Sequence, residues 1–331
     1  MAVNPYKLLR RAASLRSERL RLAGAWLLSR TGRRHVGVFL DPVLACNLRC
    51  RMCYFSDEKR RATLHGRLDE ETLKTLAQTL FPHTLKLQIG CGAEPTLYSK
   101  LPAVVALGKR YGVPYISITT NGQLLNSELM DELVQAGLDE VTLSLHGLTP
   151  ATYEAMMTGA KFARFEETAA LLKETKRTYP KFAIRINYTM NSANTDELTL
   201  LPTLLERLPA DVVQLRPVQK IGETDWQDFS LSHIEDAYET LLLPLSQELQ
   251  QKGITVLMPM PEDLQELETP PTALAAALQE LTYCNIDPQN AANATLPKMS
   301  FKRMLRLLLS GNKAEGDKGR DVTKKLAYKI S

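Results

Sequence analysis

Val36-Gly37-Val38-Phe39-Leu40 leads, after a three-residue gap, into Leu44-Ala45-Cys46-Asn47-Leu48-Arg49-Cys50-Arg51-Met52-Cys53-Tyr54. The first stretch is a β-type run. The second sets three cysteines at C-x3-C-x2-C spacing, with an aromatic residue directly after the third. Three thiolates on one short loop can hold three irons of a [4Fe–4S] cluster, whose all-protein form takes four thiolates. The other two cysteines, Cys91 and Cys284, are remote in sequence, so a fourth iron is left open to a ligand that is not protein. Other readings of the loop stand beside this one. A disulfide framework calls for a dense, even set of cysteines in a short secreted chain, whereas five are spread over 331 residues here. Free cysteines also serve as small buried hydrophobes, but Asn47, Arg49 and Arg51 argue against an apolar segment. Structural zinc takes Cys-rich loops and needs a fourth ligand; His65 is the nearest histidine, and folding could bring Cys91 close.

Beyond the loop, apolar periodicity switches repeatedly between helix and strand. Helices are expected over 68–80 with Asp69 as N-cap, 101–111, 127–136 stopped by Gly137, 162–176, 196–208 and roughly 233–251. Strands are expected over 84–89, 114–119, 140–145, 182–189 and 212–216, with a short run at 254–257. Six βα units with near-continuous apolar strands imply a parallel sheet covered by helices. Three polar motifs fall just after strands: Gly90-Cys91-Gly92-Ala93-Glu94-Pro95, Thr119-Thr120-Asn121-Gly122 and Ser144-Leu145-His146-Gly147. The C-terminal ends of strands are where α/β barrels and open α/β sheets carry their sites.

The cysteine loop and these motifs, in this order over about residues 37–220, resemble the signature series of the radical S-adenosylmethionine (SAM) enzymes. The second motif resembles that family's GGEP, the third its TNG, and the fourth its S-x-D-G. The style is that of the MoaA/SPASM-type branch, without the usual auxiliary-cluster cysteines, since only Cys284 lies in the C-terminal part. Ala93 stands where the family usually has Gly, and His146 where it commonly has Asp. The resemblance implies an α/β fold built as a partial (β/α)6 TIM-type barrel. It implies a [4Fe–4S] cluster on Cys46, Cys50 and Cys53, with SAM chelating the open iron. SAM would be cleaved reductively to methionine and a 5′-deoxyadenosyl radical, which abstracts hydrogen from substrate, with flavodoxin or ferredoxin as reductant.

The same resemblance places Gly92, Ala93, Glu94 and Pro95 at the methionine part of SAM, with Glu94 on its ammonium, and Tyr54 near the adenine. Thr120, Asn121, Ser144, Asn187 and Arg164 (or Lys161) are further candidate contacts to SAM. Arg216 and Asn187 are polar positions in apolar runs that could touch SAM or substrate. His146 could bind SAM or act as an acid or base. Position alone singles out Cys91 and Cys284 as thiols able to quench or relay a substrate radical. A peptide or protein side chain is the expected substrate, with a small metabolite or RNA as the alternative. A protein of another class, an iron–sulfur electron carrier that never cleaves SAM, would need neither an open iron nor a large barrel.

Hydrophobic content of 44% and charged content of 24% are those of an ordinary globular chain. No apolar run reaches the ~18 residues of a membrane span. The arginine-rich start followed by a short apolar run at 22–28 lacks a signal-peptide cleavage site, and reduced thiolates fit a cytoplasmic location. Charge is distributed unevenly. Residues 1–40 carry nine Lys/Arg against one acidic residue, and 298–331 carry ten against three, although the whole chain is only +4. Two basic ends therefore flank an acidic body. They either solvate helices that cap the barrel or meet something anionic, such as RNA, a membrane surface or an acidic leader peptide. The expected organisation is a basic amphipathic helical extension over 1–35, the barrel over 36–258, and a C-terminal extension over 259–331. That extension is read as helical over 262–281 with a break at Pro270-Pro271, as a basic amphipathic helix over 301–309, and as a flexible stretch over 310–321.

Overall fold

The computed structural model describes residues 17–220, 222–261, 264 and 272–310. The 1–16 part of the expected helical extension, the 262–271 part of the helix broken at Pro270-Pro271, and the 311–321 stretch with the basic tail after it lie outside the described residues, Leu264 apart.

Eight strands form one sheet: β1 (Val36–Leu40), β2 (Thr84–Ile89), β3 (Tyr115–Thr120), β4 (Glu140–Leu145), β5 (Ala183–Met190), β6 (Val212–Pro217), β7 (Thr255–Leu257) and β8 (Tyr283–Ile286). Their order is β7-β6-β5-β4-β3-β2-β1-β8, and every neighbouring pair is parallel. β7 and β8 are the two edges, so the barrel is partial and the sheet does not close. The helices are α1 (Glu18–Arg30), α2 (Glu58–Thr63), α3 (Glu70–Leu80), α4 (Leu101–Arg110), α5 (Ser127–Gln135), α6 (Pro150–Met156), α7 (Phe162–Thr178), α8 (Leu201–Arg207), α9 (Ser232–Asp236), α10 (Leu243–Gln251), α11 (Ala273–Thr282) and α12 (Phe301–Ser310).

Local chemistry explains the element ends. Asp69 caps α3 by accepting from Thr72 N–H at 2.7 Å, and Asn126 caps α5 through Leu129 N–H at 2.8 Å. The expected single helices over 196–208 and 233–251 are each split. A 3-10 turn (Asp196–Leu200) precedes α8, and a π turn (Tyr238–Leu242) separates α9 from α10. Pro202 and Pro244 sit in the first turns of α8 and α10, where a missing N–H costs nothing and a new helix starts readily. β8 has only four residues and follows α11 with no linker, too short a run to show a period.

The strands are not the near-continuous apolar runs expected from sequence. They alternate. Val38, Leu40, Leu87, Ile89, Ile116, Ile118, Val141, Leu143, Ile184, Ile186, Val213 and Leu215 all belong to the main core under the helices. The intervening positions face the inside of the curved sheet and are polar: Lys86, Gln88, Ser117, Thr119, Glu140, Thr142, Ser144, Arg185, Asn187, Gln214 and Arg216. Lys86 on β2 reaches Glu140 on β4 at 3.7 Å, past the intervening β3, as concave curvature allows. The interior of this barrel is thus a polar layer rather than a second hydrophobic core.

Candidate active site

The C-terminal end of β1 passes into Asp41, a residue that carried no signal in the sequence. Its carboxylate accepts the backbone N–H groups of Cys91 at 2.7 Å, Gly92 at 3.0 Å and Ala93 at 3.3 Å. Successive N–H groups converging on one anion make a nest, and here the anion is the chain's own. Glycine is required at the start of this turn. Gly90 has φ +80°, and a Cβ there would lie 2.5 Å from both Pro95 and the Thr119 carbonyl oxygen. Ala93, the departure from the family pattern, is accommodated with its N–H on Asp41.

Glu94 is almost fully buried. One carboxylate oxygen accepts from Thr96 Oγ1 at 2.6 Å and Thr120 Oγ1 at 2.7 Å; the other accepts from Asn121 N–H at 2.9 Å. Its own N–H donates to Ala45 O at 2.9 Å. Glu94 therefore ties the turn after β2 to the end of β3 and to the base of the cysteine loop. What this turn can offer a ligand is backbone. Pro95 is buried against Gly90 and opens a 3-10 turn. Thr120 and Asn121 complete the tie: Asn121 Nδ2 donates to Asn47 Oδ1 at 2.8 Å and lies 3.9 Å from the Cys46 sulfur.

Cys46, Cys50 and Cys53 share one loop, clamped on several sides. Arg49 Nη1 donates to the carbonyls of Cys46 and Leu48 at 2.8 and 2.7 Å. The Arg49 and Arg51 N–H groups bond Thr158 O and Met156 O at the end of α6. Tyr54 OH donates to Gly92 O, and its ring stacks on Phe55. Burial pushes the Cys46 thiol up to about 12 and raises Cys50 and Cys53 as well. Cys50 also feels the charge of both other cysteines. Soft thiol donors held at mutual electrostatic range, with a sulfur already facing an amide donor, fit an iron–sulfur centre. Among the described residues no three His, Cys, Asp or Glu side chains converge on a single-ion site.

Across the mouth lie the inward residues of β4 to β6. Ser144 pairs in register with Asn187, and Asn187 with Gln214; Thr189 pairs with Arg216. Asn187 Oδ1 and His146 Nδ1 are buried without a hydrogen-bond partner. Burial and then nearby Arg216 hold the His146 imidazole down to about 4, so it is neutral near pH 7. Arg216 makes no hydrogen bond or ion pair among the described residues. Burial and then Arg185 lower it to about 10, and Cys91 acts in the opposite sense. Two expected residues are not brought here. Arg164 on α7 bonds Leu125 O at 2.8 Å and pairs with Glu167, a latch between a helix and the loop after β3. Cys284 pairs in register with Val38, packs against the helix-side core, and its burial raises it to about 12. The face that meets the polar interior is that of Tyr283, which stacks on Phe39. Cys284 thus lies on the opposite side of the sheet from Cys91.

Residues 41–190 match the model of the radical SAM superfamily, a span that holds the cysteine loop, the Glu94 turn, Asn121 and His146. Over those residues the chain is similar to the radical SAM superfamily. That family of enzymes uses a [4Fe–4S] cluster and SAM. Over 175 residues the chain is 34% identical to the GTP 3′,8-cyclase of Chlorobaculum tepidum, covering 52% of this chain and 50% of the relative. It is 27% identical over 194 residues to the probable GTP 3′,8-cyclase of Sulfolobus acidocaldarius, covering 58% and 59%. It therefore spans about half to three-fifths of the length of these curated relatives. In fold it is similar to Streptococcus suis SuiB bound to SAM, with a TM-score of 0.60 at 16% identity over 88% of this chain and 65% of that one. No helix among the described residues is long and apolar enough to cross a membrane.

Proposed function

We propose that this protein cleaves SAM reductively at the rim between the cysteine loop and the inward faces of β4 to β6, and uses the product radical on a small anionic substrate. The observation that carries the first part is the knot joining Cys46, Asn121 and Glu94: the donor loop, the turn after β2 and the end of β3 are one hydrogen-bonded unit. Cys46, Cys50 and Cys53 would hold the cluster. When bound, it supplies the electron that splits SAM into methionine and a 5′-deoxyadenosyl radical. The chain's own residues position and shield. The Asp41 nest fixes the backbone of Cys91, Gly92 and Ala93, and leaves the carbonyl side of the turn to meet an ammonium group. Ser144 and Asn187 offer a hydroxyl and an unpaired carboxamide oxygen to the ribose. Tyr54 gives an aromatic wall for the adenine. Cys91, at the mouth, remains the thiol placed to meet a substrate radical.

The substrate reading moves from a peptide side chain to a small anionic metabolite. Arg216 is a half-buried cation with no hydrogen bond or ion pair among the described residues, and a partly desolvated charge gains from an anion that pairs with it. The curated relatives named above are cyclases of GTP, a small anionic molecule. SuiB also has a structure bound to precursor peptide SuiA, but at that identity the likeness speaks for the fold alone. A flavodoxin- or ferredoxin-type reductant and a cytoplasmic location complete the reading.

The test is anaerobic reconstitution with iron and sulfide, then dithionite and SAM, with 5′-deoxyadenosine quantified by mass spectrometry. The wild type should form it, and the triple change Cys46→Ala, Cys50→Ala, Cys53→Ala should not. Equal, background-level formation in both would overturn the reading.

A further inference from the structure

α1, α11 and α12 form a layer of their own. Leu22, Leu274, Ala277, Leu281, Met299 and Met304 make a small core separate from the main one. Trp26 Nε1 donates to Met299 O at 3.0 Å, the Trp26 ring meets Phe301 with centroids 5.5 Å apart, and Arg303 grips Glu280 through two 2.6 Å bonds. The inward side of these helices is therefore satisfied.

Their outward side is not. Leu20, Leu27 and Leu28 on α1 recur at helical spacing and are exposed, Leu20 by 62%. Phe301, Leu305 and Leu309 on α12 recur every fourth residue and are exposed, Leu309 by 75%. Six of the ten large exposed hydrophobic side chains among the described residues lie on these two packed helices, so the exposure is concentrated rather than scattered. Single exposed leucines need no explanation, but a concentrated patch marks a contact surface. Around it stand Arg19, Arg30, Lys302 and Arg306, none with an ion pair among the described residues. The sequence on either side adds more basic residues: Lys7, Arg10, Arg11 and Arg16 before, and Lys313, Lys318, Arg320, Lys324 and Lys325 after.

We infer that this two-helix face is a docking surface for an anionic lipid membrane. Aliphatic and aromatic side chains would enter the acyl boundary while the flanking cations meet the headgroups, the arrangement of interfacial amphipathic helices. Charge complementarity selects an anionic surface. The apolar stripes select lipid over RNA, because a phosphate backbone rewards the cations and gives nothing for six exposed apolar side chains. α1 and α11 run into the N-terminal ends of β1 and β8, whereas the cysteine loop leaves the C-terminal end of β1. The docking layer and the catalytic rim are thus reached from opposite ends of the same strand.

The test is co-flotation of the reconstituted full-length protein with vesicles of phosphatidylcholine alone or mixed with phosphatidylglycerol. Binding is expected to the anionic vesicles only, weakened by salt, with a drop of about tenfold in Leu27→Ser/Leu305→Ser/Leu309→Ser and in Lys302→Glu/Arg306→Glu. Both variants should keep wild-type circular dichroism and 5′-deoxyadenosine formation. Several outcomes would overturn the inference. They are no flotation by the wild type, equal binding to neutral vesicles, unchanged binding by the serine variant, and vesicle binding that appears only after removal of residues 1–16 and 311–331. Lipid-free self-association abolished by the serine variant, or tight RNA binding without vesicle binding, would assign the face to a second copy or to RNA instead.

Discussion

The lower and upper layers of the barrel interior are both polar, yet they are finished differently. Below, Glu140 is buried and answered on every side: Tyr115 OH donates to it at 3.0 Å, Thr142 Oγ1 at 3.3 Å, and Lys86 Nζ lies 3.7 Å away while also facing the Tyr115 ring. Arg185 bonds Gln214 one layer up. Above, at the rim, Asn187 Oδ1 and His146 Nδ1 are buried without such partners, and the half-buried Arg216 guanidinium makes no ion pair among the described residues. Buried polar groups in a folded chain are normally paired. Ser117 Oγ, in register with Glu140, is unpaired as well; that exception apart, the paired groups serve the fold, and the unpaired ones at the rim are held for something that arrives later.

If that division is right, substitutions in the two layers should fail in different ways. Glu140→Leu should have the largest effect on stability. Lys86 is only 13% exposed and would be left without its counter-charge, at a cost of about 3–5 kcal/mol, read by guanidinium unfolding. A smaller stability effect comes from the rim through pH. The folded His146 titrates near 4, below its ordinary 6.5, so between those values the unfolded chain binds the extra proton. Stability should rise as pH rises through that window and be lost as pH falls through it, by up to roughly 3 kcal/mol. His146→Gln should flatten that part of the profile. Asp41→Ala leaves the N–H groups of Cys91, Gly92 and Ala93 without their acceptor, for about 1–3 kcal/mol. It should also weaken SAM binding, measured by equilibrium dialysis of the reconstituted protein. The smallest stability change belongs to Arg216→Met. Replacing a half-buried cation that has no ion pair among the described residues with an apolar side chain of similar length should move the unfolding free energy by no more than about 1 kcal/mol, or raise it. Substrate turnover should nonetheless be lost. A destabilisation by Arg216→Met as large as that of Glu140→Leu would erase the distinction between the layers.

Much of this was legible in the sequence because it is local. The three cysteines, the strand-end motifs and the βα alternation are short-range patterns, and the residues they single out at 46–53, 90–95, 120–121 and 144–146 gather at one rim. What the sequence did not reveal is what depends on contacts made across the fold. Asp41 serves three N–H groups fifty residues away, and nothing beside it in the chain announces that. β8 is four residues long and gains its place only by pairing with β1. Cys284 was expected over the mouth because it follows the barrel in sequence. Strand register puts it on the helix side, since a side chain's face in a strand is fixed by alternation. The strands' alternating character is in the letters, but Lys86, Glu140 and Arg185 are residue types that do not usually line an interior.

Everything proposed for the rim depends on Cys46, Cys50 and Cys53 holding a cluster with one iron left for SAM. Iron and sulfide content, with Mössbauer and EPR spectra recorded before and after SAM is added to the anaerobically reconstituted protein, tests it most directly. Four irons and four sulfides per chain are expected, lost in the triple alanine variant, with an EPR signal of the reduced cluster that changes when SAM binds. A single metal ion held by the same cysteines, or a cluster whose spectrum is indifferent to SAM, would contradict it.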